Sequence, residues 1–197
     1  MIKFIDNLLN RITMYRLVLY YVLIIWLAGF VLSFFGLLPY TPIALVVSVV
    51  FILGVCLSVN AIFARVFDAP SNIESVYTTA LILALIIAPT RSASSLTFLG
   101  LAALLAMASK YIIALNKKHI FNPAALAVAL TVIVSGQSAN WWVGNLYMMP
   151  FVLVGGLLMV RKLRRFDLVL SFIIFSIVTI LGYFFFKQSN LLSISKE

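Results

Sequence analysis

Charge is what this chain has least of. Only 10% of its 197 residues are Asp, Glu, Lys or Arg, and just 5 of those are acidic. A soluble domain carries about a quarter charged residues because its surface faces water, so a water-covered globule is excluded. Cysteine is nearly absent too. Cys56 is the only one, it sits inside an apolar block, and no disulfide framework or thiolate metal site can be built from it. It reads as a small packing residue. His119 is the only histidine, and with no carboxylate or thiolate near it in sequence it cannot make a metal centre. Nucleophile–base pairs, a phosphate-cradling glycine loop and a dinucleotide fingerprint are all missing, so hydrolytic and nucleotide chemistry fall away. No self-contained catalytic site is legible.

What remains is hydrophobic: 64% of the residues, with a mean hydropathy of +1.19. The apolar residues fall in continuous runs such as Leu17–Phe35 and Leu168–Phe186. Such runs match the helix length needed to cross a hydrocarbon core, where every backbone polar group must be satisfied internally. They do not alternate, which excludes a membrane β-barrel. The expectation is an all-α, polytopic transmembrane helix bundle forming one domain over residues 1–197. Seven hydrophobic segments are predicted, at about 14–36, 42–64, 76–89, 96–115, 123–135, 146–160 and 167–187. Breakers separate them, among them Leu38-Pro39-Tyr40-Thr41-Pro42, Ala69-Pro70-Ser71-Asn72 and Pro89-Thr90-Arg91-Ser92. Residues 1–12 read as an interfacial amphipathic helix rather than a cleaved leader.

The net charge of +9 is a topology signal, not a nucleic-acid footprint. With the N-terminus in the cytoplasm and all seven segments crossing, eleven of the fourteen basic residues fall inside, among them Lys3, Arg16, Arg65, Lys110, Lys117, Lys118 and Arg161. Arg91, Lys187 and Lys196 fall outside. Trp141, Trp142 and Tyr147 stand where an interfacial aromatic belt would place them. A prokaryotic plasma membrane is the expected location, with the lipid bilayer as the first partner.

Two segments are too short. Blocks 76–89 and 123–135 would cover only about two-thirds of a ~30 Å core. Paired short or interrupted helices point to a binding site, and tilted helices in a thinned bilayer would look the same. Asn122-Pro123 is a well-formed helix start, with a favoured cap followed by a proline at the first helical position. Its free N–H groups, with Lys117, Lys118 and His119 upstream, would suit an anionic or acceptor-rich ligand, though an ordinary cap after a basic loop reads identically. Ser71 or Asn72 could cap the other short helix, with Glu74 in its first turn. Lys110 is either a functional residue at membrane depth or a snorkelling one, and a Glu74–Lys110 pair is conceivable.

The stretch Ser75-Val76-Tyr77-Thr78-Thr79-Ala80-Leu81, running on to Pro89, resembles a helix in the membrane subunits of the Rnf and Na⁺-translocating NADH:quinone reductase complexes, the RnfD/NqrB family. Lys110 to Ala124 is similar to that family's motif ending in Phe-Asn-Pro-Ala, with Lys110, Phe121, Asn122, Pro123 and Ala124 matching in place. The resemblance covers about residues 70–165, the equivalent of one half of a family member. It implies a flavin-binding electron-transfer module, with riboflavin or FMN held non-covalently, since the family's covalent-attachment motif is not found. It implies a site made of Phe121, Asn122 and Pro123 with His119, Lys118, Ser75, Thr79 and Lys110. Asn122 would bond the isoalloxazine edge or ribityl chain, and Phe121 would lie against the ring. Ala114, Leu115 and Lys117 replace family glycines, and His119 replaces an asparagine. A half-length member implies a homodimer, a partner redox subunit or a soluble flavin/NAD reductase domain. Readings from another class are a vitamin-binding subunit of an energy-coupling-factor transporter and a urea- or ammonium-type channel.

Overall fold

The computed structural model describes residues 11–115 and 118–194, leaving aside the side chains of 115, 118, 119 and 188–194. It is a helical membrane bundle. Its helices are α1 (Met14–Phe34), α2 (Pro42–Val66), α3 (Ile73–Ile86), α4 (Ala93–Ile112), α5 (Pro123–Ser135), α6 (Met149–Leu163) and α7 (Phe166–Ile194). Stretches in α1, α2, α4 and α7 are long and apolar enough to cross a membrane. The seven expected segments are all there, within three residues of the predicted bounds except that α7 runs on to Ile194. The expected interfacial helix at the N-terminus lies outside the described residues.

The fourth segment, expected to run to about 115, ends as helix at Ile112, and the chain then forms a short ladder. Ala114–Leu115 (β1) and Lys118–His119 (β2) pair as a short antiparallel ladder, Ala114 opposite His119. Helix starts follow the sequence closely. Thr13 and Thr41 cap α1 and α2, Asn72 caps α3 and Asn122 caps α5, each accepting a backbone N–H from the first turn. Such caps meet N–H groups that have no partner within the helix. Gly136 ends α5 in the left-handed region at φ 66°, which glycine adopts without penalty.

Two compact units divide at Gly155/Gly156. In the first, α2, α3, α4 and α5 pack around one core, with α1 against α3. The buried positions are rich in small side chains: Ala102, Ala103 and Ala106 on α4, and Ala124 and Ala127 on α5. Apolar burial gains little in lipid, so helices associate by close backbone approach and van der Waals contact, which small residues permit. Cys56 is fully buried, the packing role its setting predicted. The second unit holds the end of α6 and all of α7, whose Ser171 and Thr179 hydroxyls donate to carbonyls of their own helix.

Trp142 departs from expectation. It is 4% exposed, not a belt residue, and its indole Nε1 donates to the Ala84 carbonyl at 2.8 Å. Gly29 of α1 makes room for it, since a Cβ there would lie 2.6 Å from the ring. Trp141 and Tyr147 are exposed, as a belt requires.

Candidate functional site

The two short helices meet at their N-terminal ends. Asn72 Oδ1 accepts the Ser75 N–H at 3.2 Å and so starts α3. Asn122 Oδ1 accepts from the Ala124 and Ala125 N–H groups at 3.0 and 3.4 Å and so starts α5, with Pro123 in its first turn. Between these ends and the start of α1 lies a cleft of about 550 Å³. Ser75, Thr79, Phe121, Asn122 and Pro123 all line it, with Thr13, Tyr15 and Thr78. Five of the residues singled out by sequence are thereby brought together from positions more than 40 apart in the chain.

Each has a defined hydrogen-bonding state. The Asn122 oxygen is committed to its helix cap, which leaves the amide Nδ2, a two-proton donor, for a ligand. Thr79 and Thr78 donate their hydroxyl protons to the Ser75 and Glu74 carbonyls, so their oxygens keep acceptor capacity. Phe121 is 57% exposed at the cleft, an aromatic face without a cover inside the bundle. Glu74, which lines the cleft, pairs with Arg16 of α1, Nη2 to Oε1 at 3.1 Å with Nε at 3.2 Å.

Glu74 thus pairs with Arg16 and not with Lys110. Lys110 neither snorkels nor lines the cleft. It is 8% exposed, and its Nζ donates to the Ser75 carbonyl at 2.9 Å and to Ser75 Oγ at 3.0 Å. Lys110 lines a second cavity of about 350 Å³ with Asn60, Phe67, Asp68 and Tyr111, and Asn72 and Ser75 line both this cavity and the cleft. The Lys118 and His119 side chains lie outside the described residues, though the β2 backbone that carries them is folded against β1.

Sequence reading missed the polar network beside Lys110. Asn60 of α2 is buried, donates from Nδ2 to Ser71 Oγ at 2.9 Å, and accepts at Oδ1 from the Tyr111 hydroxyl at 2.8 Å. An asparagine in a long apolar helix was the available signal, because a buried amide at membrane depth requires partners.

Among the described residues no group of His, Cys, Asp and Glu could hold a metal ion.

Comparison with protein-family models, with curated proteins and with solved structures finds no match. The likeness to the RnfD/NqrB family rests on the residues quoted from the sequence, and the geometry of those residues is what bears on function.

Proposed function

We propose that this chain is a flavin-binding electron-transfer module of a membrane oxidoreductase, resembling one half of an RnfD/NqrB-type subunit. The carrying observation is the convergence of Ser75, Thr79, Phe121, Asn122 and Pro123 on one cleft of about 550 Å³, a size within the range of small-molecule and cofactor sites.

The donor set suits a flavin. The pyrimidine edge of an isoalloxazine presents carbonyl acceptors flanking a ring N–H. The Asn122 amide donates to an acceptor of that kind, and the Thr78 and Thr79 oxygens accept from a donor. The Phe121 ring offers a flat apolar surface for stacking. The α5 N-terminus adds the positive end of its dipole, its Ala124, Ala125 and Leu126 N–H groups being taken by Asn122, beside electron-rich oxygens and more strongly beside a reduced, anionic ring. A bound flavin supplies the electron chemistry, while the protein positions it, shields it and tunes its charge. Riboflavin and FMN both carry this edge.

The basic residues favour an N-terminus in the cytoplasm, with the cleft at the cytoplasmic side where α3 and α5 begin. From there the module would exchange electrons with a partner redox subunit, a soluble flavin/NAD reductase domain or a second copy of itself, in a prokaryotic plasma membrane.

The test is the visible absorbance spectrum of detergent-purified protein, before and after acid precipitation. A flavin band released into the supernatant is the expected result. Protein that stays colourless after expression with excess riboflavin would contradict the proposal, and solute-uptake assays would then decide between the transporter and channel readings.

A further inference from the structure

The second cavity adjoins the cleft, with Asn72 and Ser75 lining both, and its chemistry is different. It contains an ammonium. Lys110 is more than nine-tenths buried, and among the described residues both of its hydrogen bonds go to one neutral partner, Ser75. Lys110 takes no part in the Arg16–Glu74 ion pair. An ammonium carries three donors, so two are used and one remains. A buried charge compensated only by neutral oxygens is costly, and a counter-charge in the same space would relieve that cost.

The rest of the wall defines what the counter-charge would be carried on. Phe67 and Tyr111 line the cavity with their rings stacked, centroids 5.9 Å apart at 29°, and Phe63 stacks on Phe67 behind them at 5.8 Å. Tyr111 is fixed by its hydroxyl on Asn60 Oδ1, and Asn60 by its amide on Ser71 Oγ. The aromatic wall is therefore held from two helices and the connector before α3. Asp68, exposed and in the left-handed region at φ 45°, lines the same cavity and supplies the one negative group there. It makes no ion pair with Lys110 among the described residues. The volume of about 350 Å³ fits a single small molecule.

We infer that this cavity is a second binding site, taking a small oxyanion carried on a flat apolar body, with Lys110 on the oxyanion and Phe67 and Tyr111 on the ring. Carboxylate and phosphate share the chemistry, and the site stands whether or not the neighbouring cleft holds a flavin.

The probe is phenyl phosphate, titrated into the detergent-purified full chain by calorimetry, with benzoate as the carboxylate counterpart and benzyl alcohol as the neutral ring. Saturable binding of phenyl phosphate or benzoate, at least about 10-fold tighter than benzyl alcohol, is expected, since one charged hydrogen bond supplies that factor. Lys110→Met should abolish the preference and Lys110→Arg should keep it. Should Lys110→Met fail to fold, Ala69→Asp in the connector after α2 places a second carboxylate on the cavity wall without touching its rings, and should weaken both anions about 10-fold while leaving benzyl alcohol unchanged. Asn122→Ala, in the other cleft, should leave anion binding intact. No saturable anion binding by the wild-type chain, or equal binding of all three probes, would overturn the inference. So would anion affinity that survives both Lys110→Met and Ala69→Asp.

Discussion

α3 and α5 begin with the same chemistry and end in different situations. Both are short, 14 and 13 residues, and both start on an asparagine whose side-chain oxygen caps the first turn. α3 is enclosed: seven of its residues are buried, from Val76 to Leu85. It is also gripped by side chains from elsewhere, Arg16 on Glu74, Lys110 on Ser75 and Trp142 on the Ala84 carbonyl. α5 buries only Ala124, Ala127 and Thr131, and its first turn is held by its own cap. A helix tied down by its neighbours makes a wall. A helix capped only by itself, with an exposed Phe121 just before it, presents the positive end of its dipole and an aromatic ring to a cleft. The same local signal thus yields a scaffold in one place and a candidate ligand-contacting end in the other.

The largest effect that would sharpen this contrast is on the α3 side. Trp142→Ala removes a buried indole and its hydrogen bond, and should cost about 3 kcal/mol, read as a lower thermal midpoint in detergent. Phe121→Ala, on the α5 side, should leave that midpoint nearly unchanged while reducing the flavin that co-purifies. If Phe121→Ala were the more destabilising of the two, the contrast would fail.

The caps come next. Asn72→Ala and Asn122→Ala should each cost about 1 kcal/mol, visible as similar midpoint shifts. On the proposed reading Asn122→Ala should strip more bound flavin than Asn72→Ala, although both line the cleft, because the Asn122 amide is the assigned donor to the ring. Equal flavin loss in the two variants would show that cap integrity matters and the amide does not.

The smallest effect is expected at the Arg16–Glu74 pair. Both side chains are about half exposed, at 56% and 51%, and such pairs contribute under about 1 kcal/mol. Arg16→Ala should therefore shift the midpoint little. A shift rivalling that of Trp142→Ala would mean that α3 is held chiefly by charge.

The number of helices, their type and most of their ends were legible in the sequence, because lipid allows few solutions to the backbone's hydrogen-bonding demand and the breakers mark the turns. Asn72 and Asn122 acted as the caps their residue type favours, and Ser71 did not, since Asn60 engages it instead. Burial of Trp142 was not legible: a tryptophan in an uncharged loop looks the same whether it lies at the interface or turns inward, and the deciding fact is the space left by Gly29. Lys110 was misplaced for a related reason. One turn from a helix end it can reach either way, and Ser75, which takes it inward, is 35 residues distant. The β1–β2 ladder carries no pattern long enough to be recognised.

The central claim, that the α5 start contacts a flavin through the Asn122 amide, is tested most directly by Asn122→Asp. Aspartate caps a helix as well as asparagine, so the fold and the cap are kept, while the donor is replaced by an anionic acceptor. The measurement is a riboflavin titration of flavin-free protein, followed by quenching of flavin fluorescence. At least about a 10-fold loss of affinity with an unchanged thermal midpoint is predicted, the scale of a donor exchanged for a repelling acceptor. Affinity equal to that of the wild-type chain would contradict the assignment of Asn122 and, with it, the cleft as the flavin site.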